Sequence, residues 1–419
     1  MNSRENILSA INHQSTGRIP IDSGSTAITG MHCTIVEGLR KYFGLPEKPV
    51  IICEPYQMLG WIDNDLRDAL GIDTSCLNPP RTMFGYANKD WKLWRTPWGQ
   101  DVLVGGNFMT HTDKDGNVLV YPEGDTSAPA SGHMPAKGYF FDTIERMDPD
   151  FDEDDLKLED NLQEFGLLSE VDINHWKSEA EIVKDSGRAV LAHLPGTALG
   201  DIAIVPGPFL KHPKGVRGVA DWYMLVADEP DFIKEIFRHQ VETALQNLAT
   251  LNRIAGDVLD IGVVCGTDFG TQTSQFCSSE TLADLWIPYY RQINDWIHEN
   301  TSWKTFKHSC GAVEPFIGQF IEAGFDILNP VQCSATGMDP KGLKTTFGDK
   351  ITFWGGGVDT QHTLPFGTAD EVFKEVTERC RIFSPGGGFV FNSIHNIQAR
   401  TPIENVVSMF KAVREFPGE

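Results

Sequence analysis

The sequence predicts an α/β chain folded as a (β/α)8 TIM barrel, with a β-hairpin and loop insertion near the barrel mouth. Two patterns lead there. From Ala189 onward, apolar runs rich in β-branched residues alternate with longer segments of helical period, the signature of parallel βαβ units. Nearly every one of those runs also ends at its C-terminal edge in a residue able to do chemistry. In an open doubly wound sheet only the strands flanking the switch point converge on a site, whereas in a closed barrel every C-terminal strand end surrounds one mouth. The second pattern selects the barrel.

The elements follow in chain order. "MNSRENILSAINHQ" reads as a capped amphipathic helix rather than a targeting segment. "RIPIDSG" and "VIICEP" supply the first strands, with Asp22 and Glu54 at their ends. Residues 77–187 break the alternation. There "LWRTPWGQDVLVGG" and "GNVLVYPEGD" read as a β-hairpin pair, and "GDTSAPASGHMPAKGYFFD" as a loop rich in Pro and small residues. The acidic "DPDFDEDDLKLED" then reads as a solvated helix start. This stretch is an insertion or lid beside the mouth of a single domain spanning 1–419. Six strands come after it: "AVLAHLPG", "VLDIGVVCGTD", "TFKHSCG", "DILNPVQ", "TFWGGGVD" and "GFVFNSIHNI". Helices over 288–300, 312–323 and 369–382 separate the later ones. The strand-end residues are Asp268, then His308 and Cys310, then Gln332 and Cys333, then Asp359, and last Asn392 and His395.

Composition narrows the partners. Against 35 basic residues stand 58 acidic ones, a net charge of −23, which repels nucleic acid and anionic membrane surfaces and disfavours a polyanionic substrate. No run approaches the roughly 18 apolar residues of a membrane span; a cytoplasmic protein is expected. The eight cysteines have neither the dense spacing of a disulfide scaffold nor a CxxC pair, and most read as buried free thiols.

His308 and Cys310 are two apart, so on a strand both point to one face while Ser309 points away. At a barrel mouth they converge, and a third donor from another strand, Cys333 or His395, makes a set suited to zinc with one position open. The plainer alternative is a hydrogen-bonded core histidine. A Cys310–His308 nucleophilic dyad is disfavoured by an expected separation of roughly 6–7 Å between same-strand neighbours. "GTDFGTQTS" does not match a serine-hydrolase elbow, and "GGGVD" and "SPGGGF" lack nucleotide-binding spacing.

Several of these stretches, "HSCG", "DILNPVQCSA", "GGGVDTQHTLPFGTADEV" and "FNSIHNIQARTPIENV", together resemble the C-terminal half of the uroporphyrinogen decarboxylase superfamily. More closely they resemble its corrinoid-linked methyltransferase branch. "PIDSGSTAITGMH" and "TDFGTQTSQFCSSE" extend the likeness over nearly the whole chain. The resemblance implies a (β/α)8 barrel and zinc held through His-x-Cys and a late Cys. Aligning Arg400-Thr401-Pro402 on that branch's motif places His395 where the late Cys stands, so the implied ligands are His308, Cys310 and His395, with Cys333 in reserve. It also implies cobalamin supplied by a partner corrinoid protein, and it favours a homodimer. The decarboxylase itself holds a substrate with eight carboxylates through arginines near the N-terminus; here no Arg occurs between Arg18 and Arg40.

The expectation is therefore a zinc-dependent methyltransferase moving a methyl group from a small O-methyl donor, aryl methyl ethers included, to the cobalamin of a corrinoid protein. Asp268 and Asp359 are the catalytic candidates for orienting or protonating the leaving oxygen. Trp91, Trp94, Trp98, Tyr139, Phe140 and Phe141 are candidates for an aromatic pocket over the mouth. A metal-free decarboxylase on the same barrel is the alternative, and a non-catalytic scaffold a third.

Overall fold

The computed structural model describes residues 1–148, 151 and 155–417. Its centre is a parallel sheet of seven strands paired in sequence order. These are β1 (Thr74–Cys76), β2 (Ala189–His193), β3 (Ile261–Cys265), β4 (Lys304–His308), β5 (Ile327–Asn329), β6 (Thr352–Trp354) and β7 (Phe389–Val390). Helix α1 (Glu170–Val183) leads into β2. The crossovers are carried by α2 (Pro230–Ala255), α3 (Ile287–Asn300), α4 (Glu314–Glu322), α5 (Pro340–Phe347) and α6 (Ala369–Phe383), and α7 (Ile403–Glu415) is the last described helix. All six strands expected after Ala189 are present. No described helix is both long and apolar enough to cross a membrane.

In the eighth place of the expected barrel the described residues form a single bridge instead of a strand. Phe391 N–H donates to the Pro20 carbonyl and Asp22 N–H to the Phe391 carbonyl, both at 2.9 Å, while Asp73 N–H donates to the Ile21 carbonyl at 2.8 Å. Residues 20–22 thus join the two edges of a curled seven-stranded sheet. Pro20 has no N–H to offer, and Gly24 turns the chain at φ +72°, which confines the pairing to the Ile21–Phe391 bridge. "VIICEP" does form a strand, Val50–Glu54, but outside the parallel sheet. It pairs antiparallel with Leu59–Gly60 and parallel with Asp101–Val104. The alternating burial of Val50 and Ile52 marks a strand covered on one face, unlike the fully buried β3.

Within 77–187, Lys92–Arg95 and Asp101–Val104 form the expected hairpin. Val118–Val120 lies between Thr110–Thr112 and Gly132–Met134 in a separate antiparallel sheet. The helix start expected at the acidic run falls partly on residues 149–150 and 152–154, outside the described residues; beyond them the chain makes a short 3-10 turn at Glu159–Asn161.

The period of two along the strands positions the site. Leu191, Val263, Phe306, Ile327, Trp354 and Val390 share one interior cluster, closed at its base by Ile7, Ala10 and Ile11 of the N-terminal helix Ser3–Ile11. That helix starts at an Asn2–Glu5 capping box. Burial of each Leu, Val, Ile or Phe side chain among them contributes about 1.5–3 kcal/mol. Two residues onward, the same face carries His193, His308 and Asn329 at the C-terminal ends, while a register shift after Val263 turns the Cys265 thiol outward to the Tyr290 hydroxyl of α3 at 3.3 Å. Apolar packing thus gives way to groups that need polar partners.

Candidate metal centre

The loop after β4 is clamped through its backbone. Ser309 N–H donates to the Asn329 carbonyl at 2.8 Å and Cys310 N–H to Asp268 Oδ1 at 2.6 Å. Gly311 N–H donates to Gln332 Oε1 at 2.8 Å. Ser309 points away from the site, as expected, and its Oγ accepts the Phe269 N–H at 2.9 Å. Gly311 holds φ +87°, a left-handed turn that brings the backbone against Gly270 and Thr271. Beneath, fully buried Lys307 donates from Nζ to the carbonyls of Thr267 at 2.7 Å and His308 at 2.5 Å, tying the ends of β3 and β4 together. The rings of Phe269, Tyr290 and Phe320 surround that ammonium at 5.0–5.7 Å. Burial lowers the Lys307 pKa.

His308, Cys310 and Asp268 offer three donor atoms lying within 4.8 Å of one another. His308 Nε2 is 3.4 Å from Cys310 Sγ and 3.7 Å from Asp268 Oδ1. The expected 6–7 Å separation of His308 and Cys310 is corrected by this contact: β4 ends at His308, and the turn at Gly311 folds the thiol back onto the ring. The contact still does not make an activated dyad. Burial, and next the Asp268 carboxylate, push the Cys310 thiol well above its ordinary range, while burial lowers His308. Both shifts favour the neutral pair over thiolate and imidazolium.

The other candidates are placed as follows. His395 lines, with Asp268 and Cys310, two adjoining cavities of about 700 and 520 Å3, but it lies outside the set of three donors; its Nδ1 is 3.3 Å from the Asn396 carbonyl. Asp359 caps its own turn, accepting the Gln361 and His362 N–H groups at 2.6 and 3.1 Å, and it lines neither cavity. Cys333 donates to the Val331 carbonyl at 3.3 Å and packs against Gly356. Of the six candidate aromatic residues, Phe140 lines the smaller cavity. Trp94 and Phe141 pack on Phe108, Trp98 stacks on Tyr139, and Trp91 faces solvent.

Asn329, which the sequence reading did not single out, bonds to His308 Nδ1; its one signal was its position at the end of "DILN". Asp201 and Tyr56 in the cavity wall carried no local signal, since both lie in loops without periodicity.

The family model described as uroporphyrinogen decarboxylase (URO-D) matches residues 167–416. The chain belongs to the uroporphyrinogen decarboxylase family. No curated protein matches the sequence. Among solved structures, a methyltransferase from Methanosarcina mazei is similar over 99% of both chains at 13% identity, with a TM-score of 0.56, and shares the fold. A GH113 β-1,4-mannanase (TM-score 0.29, 11% identity, 58% of this chain and 79% of that one) is also similar. So is a β-mannanase from the blue mussel Mytilus edulis (TM-score 0.32, 11% identity, 65% and 78%).

Proposed function

We propose that the protein is a zinc-dependent methyltransferase that moves a methyl group from a small O-methyl donor, aryl methyl ethers included, to the cobalamin of a separate corrinoid protein. The observation that supports this reading most is the convergence of His308, Cys310 and Asp268 beside the cavity of about 700 Å3. A thiol sulfur, an imidazole nitrogen whose partner nitrogen is already bonded, and a carboxylate oxygen suit zinc and leave a fourth position for substrate. Zinc bound there supplies Lewis acidity to the methoxy oxygen.

The chain's own groups do the rest. Asn329 aims His308, and the Cys310 N–H holds Asp268 in place. The carbon–oxygen electron pair would leave with the oxygen, which would take a proton from solvent, and the methyl group would pass to the partner's corrinoid, which would supply the electron pair for the new bond. We assign orientation of the leaving oxygen to Asp268 and give Asp359 the support of its turn. His395, beside Cys310 in the same cavities, is the other source of a third ligand.

A decarboxylase acting on a substrate with many carboxylates is disfavoured by the paired arginines: Arg18 is bound by Asp73, and Arg40 by Asp65 at 2.9 Å. Zinc analysis and transfer of methyl groups from methoxylated compounds to free cob(I)alamin test the reading. His308→Ala and Cys310→Ala should each lose both metal and transfer. Carbon dioxide release by zinc-free protein, without methyl transfer, would support the decarboxylase instead.

A further inference from the structure

The larger cavity carries a one-sided charge. Glu54, Asp142, Glu145 and Asp201 line it together with Asp268, whereas the one Arg or Lys among its described lining residues, Arg81, is paired to Asp172 at 2.9 Å. Asp201 is only 9% exposed. Its Oδ1 accepts the Ala203 N–H at 3.0 Å, and its Oδ2 takes no hydrogen bond among the described residues. That oxygen faces Gly266: a Cβ there would come within 2.9 Å of it. Gly266 has no left-handed φ that would require glycine, so its absent side chain serves to leave the oxygen open to the cavity that both residues line.

Glu54 rests on the N–H groups of Tyr56 and Met83 at 3.0 and 2.9 Å and, among the described residues, on no cationic side chain. The Tyr56 ring lies in the same wall. Burial, and next the field of Asp142, raise its phenol. A buried carboxylate without a counter-charge, as at Asp201, is costly, and an aromatic ring in the same wall suits a cation.

We infer that this site takes a small organic cation: an O-methyl compound bearing an ammonium group, which sits against Tyr56, Asp201 and Glu54 while the methoxy end faces Asp268, His308 and Cys310. The methoxy end rests on the methyl-transfer reading above; the charge preference rests on the wall alone. A cavity of about 700 Å3 suits such a molecule.

The test uses the full chain, without cobalamin, and two ligands of one shape. (2-Methoxyethyl)trimethylammonium and its neutral carbon isostere, 1-methoxy-3,3-dimethylbutane, differ only in charge, and methoxyacetate supplies the opposite sign. By titration calorimetry or ligand-observed NMR at pH 8, above the Glu54 pKa of about 7, the cation should bind about tenfold tighter than the isostere, and methoxyacetate should not compete. Asp201→Asn should lower the cation's affinity by about tenfold, leave that of the isostere unchanged, and keep the zinc content of the wild type. Equal affinity for cation and isostere, or tighter binding of methoxyacetate, overturns the inference, and the wild-type comparison decides even if the variant fails to fold. Cation binding without methyl transfer to cob(I)alamin removes the methyl-transfer reading and keeps this one. Transfer from neutral ethers alone does the reverse.

Discussion

Asn329 Oδ1 lies 2.5 Å from His308 Nδ1, while the Asn329 amide nitrogen donates to the Trp354 carbonyl at 2.7 Å. The amide is thereby oriented, so Nδ1 must carry the proton and Nε2 presents its lone pair to Cys310 and Asp268. Such partners of a ligating histidine typically change metal affinity about 10–100-fold. Asn329→Ala should weaken zinc binding by that factor in chelator competition, and Asn329→Asp, which keeps an acceptor, should recover most of it. Unchanged affinity in the alanine variant would mean that the ring needs no such anchor.

In the proposed zinc site, Asp268 and His395 are the two candidates for the third ligand position. On the distances, Asp268→Asn should lower zinc stoichiometry well below that of the wild type, whereas His395→Ala should retain the metal and lose methyl transfer. The reverse pattern of metal contents would move the third ligand to His395.

Gly311 cannot accept a side chain. At φ +87° an added Cβ would run into the carbonyls of Gly270 and Thr271. Gly311→Ala should destabilise the protein by about 1–3 kcal/mol and displace Cys310. Thermal unfolding together with zinc content checks both, and a variant with wild-type melting and full zinc would refute the turn's role.

Lys307 is a positioning residue. Lys307→Met leaves the carbonyls of Thr267 and His308 without their donor, a loss of roughly 1–3 kcal/mol per buried group, partly offset by removal of a buried charge. The expected outcome is a lower melting temperature with weaker zinc binding, because the two strand ends bearing Asp268 and His308 separate. Lower stability with unaltered zinc affinity would reduce Lys307 to packing alone.

Glu54 gives the protein a pH dependence of defined sign. Burial raises its carboxyl from 4.5 to about 7. Between those values the folded chain keeps a proton that the unfolded chain has released, so Glu54's contribution is full below about pH 4.5 and is lost as pH rises through about 7, a change of about 3 kcal/mol. Glu54→Gln has no such titration. Whatever its pH-independent cost at the Tyr56 and Met83 N–H groups, its melting temperature relative to wild type should climb from pH 5 to pH 8. A flat difference would show that Glu54 is solvated.

The site was legible in part. His308 and Cys310 could be read as sharing a face because the alternation of a strand is local, and Asp268, His308 and Asp359 could be read as strand ends because apolar runs stop where they do. What misled was also local: carrying strand spacing through Cys310 gave a separation of 6–7 Å, whereas the chain leaves the strand at His308 and the donors touch. "VIICEP" has a strand's composition, but nothing in it states which sheet it joins.

By itself, the sequence determined the alternating parallel architecture, the family likeness and the His-x-Cys pair, all of which depend on neighbours a few residues apart. Tertiary structure decided that Asp268 rather than His395 closes on that pair, that Asn329 orients the imidazole, and that Asp201, Glu54 and Tyr56 share one acidic wall. Those choices turn on how the sheet curls and where loops land, relations between residues tens to hundreds of positions apart that no local period records.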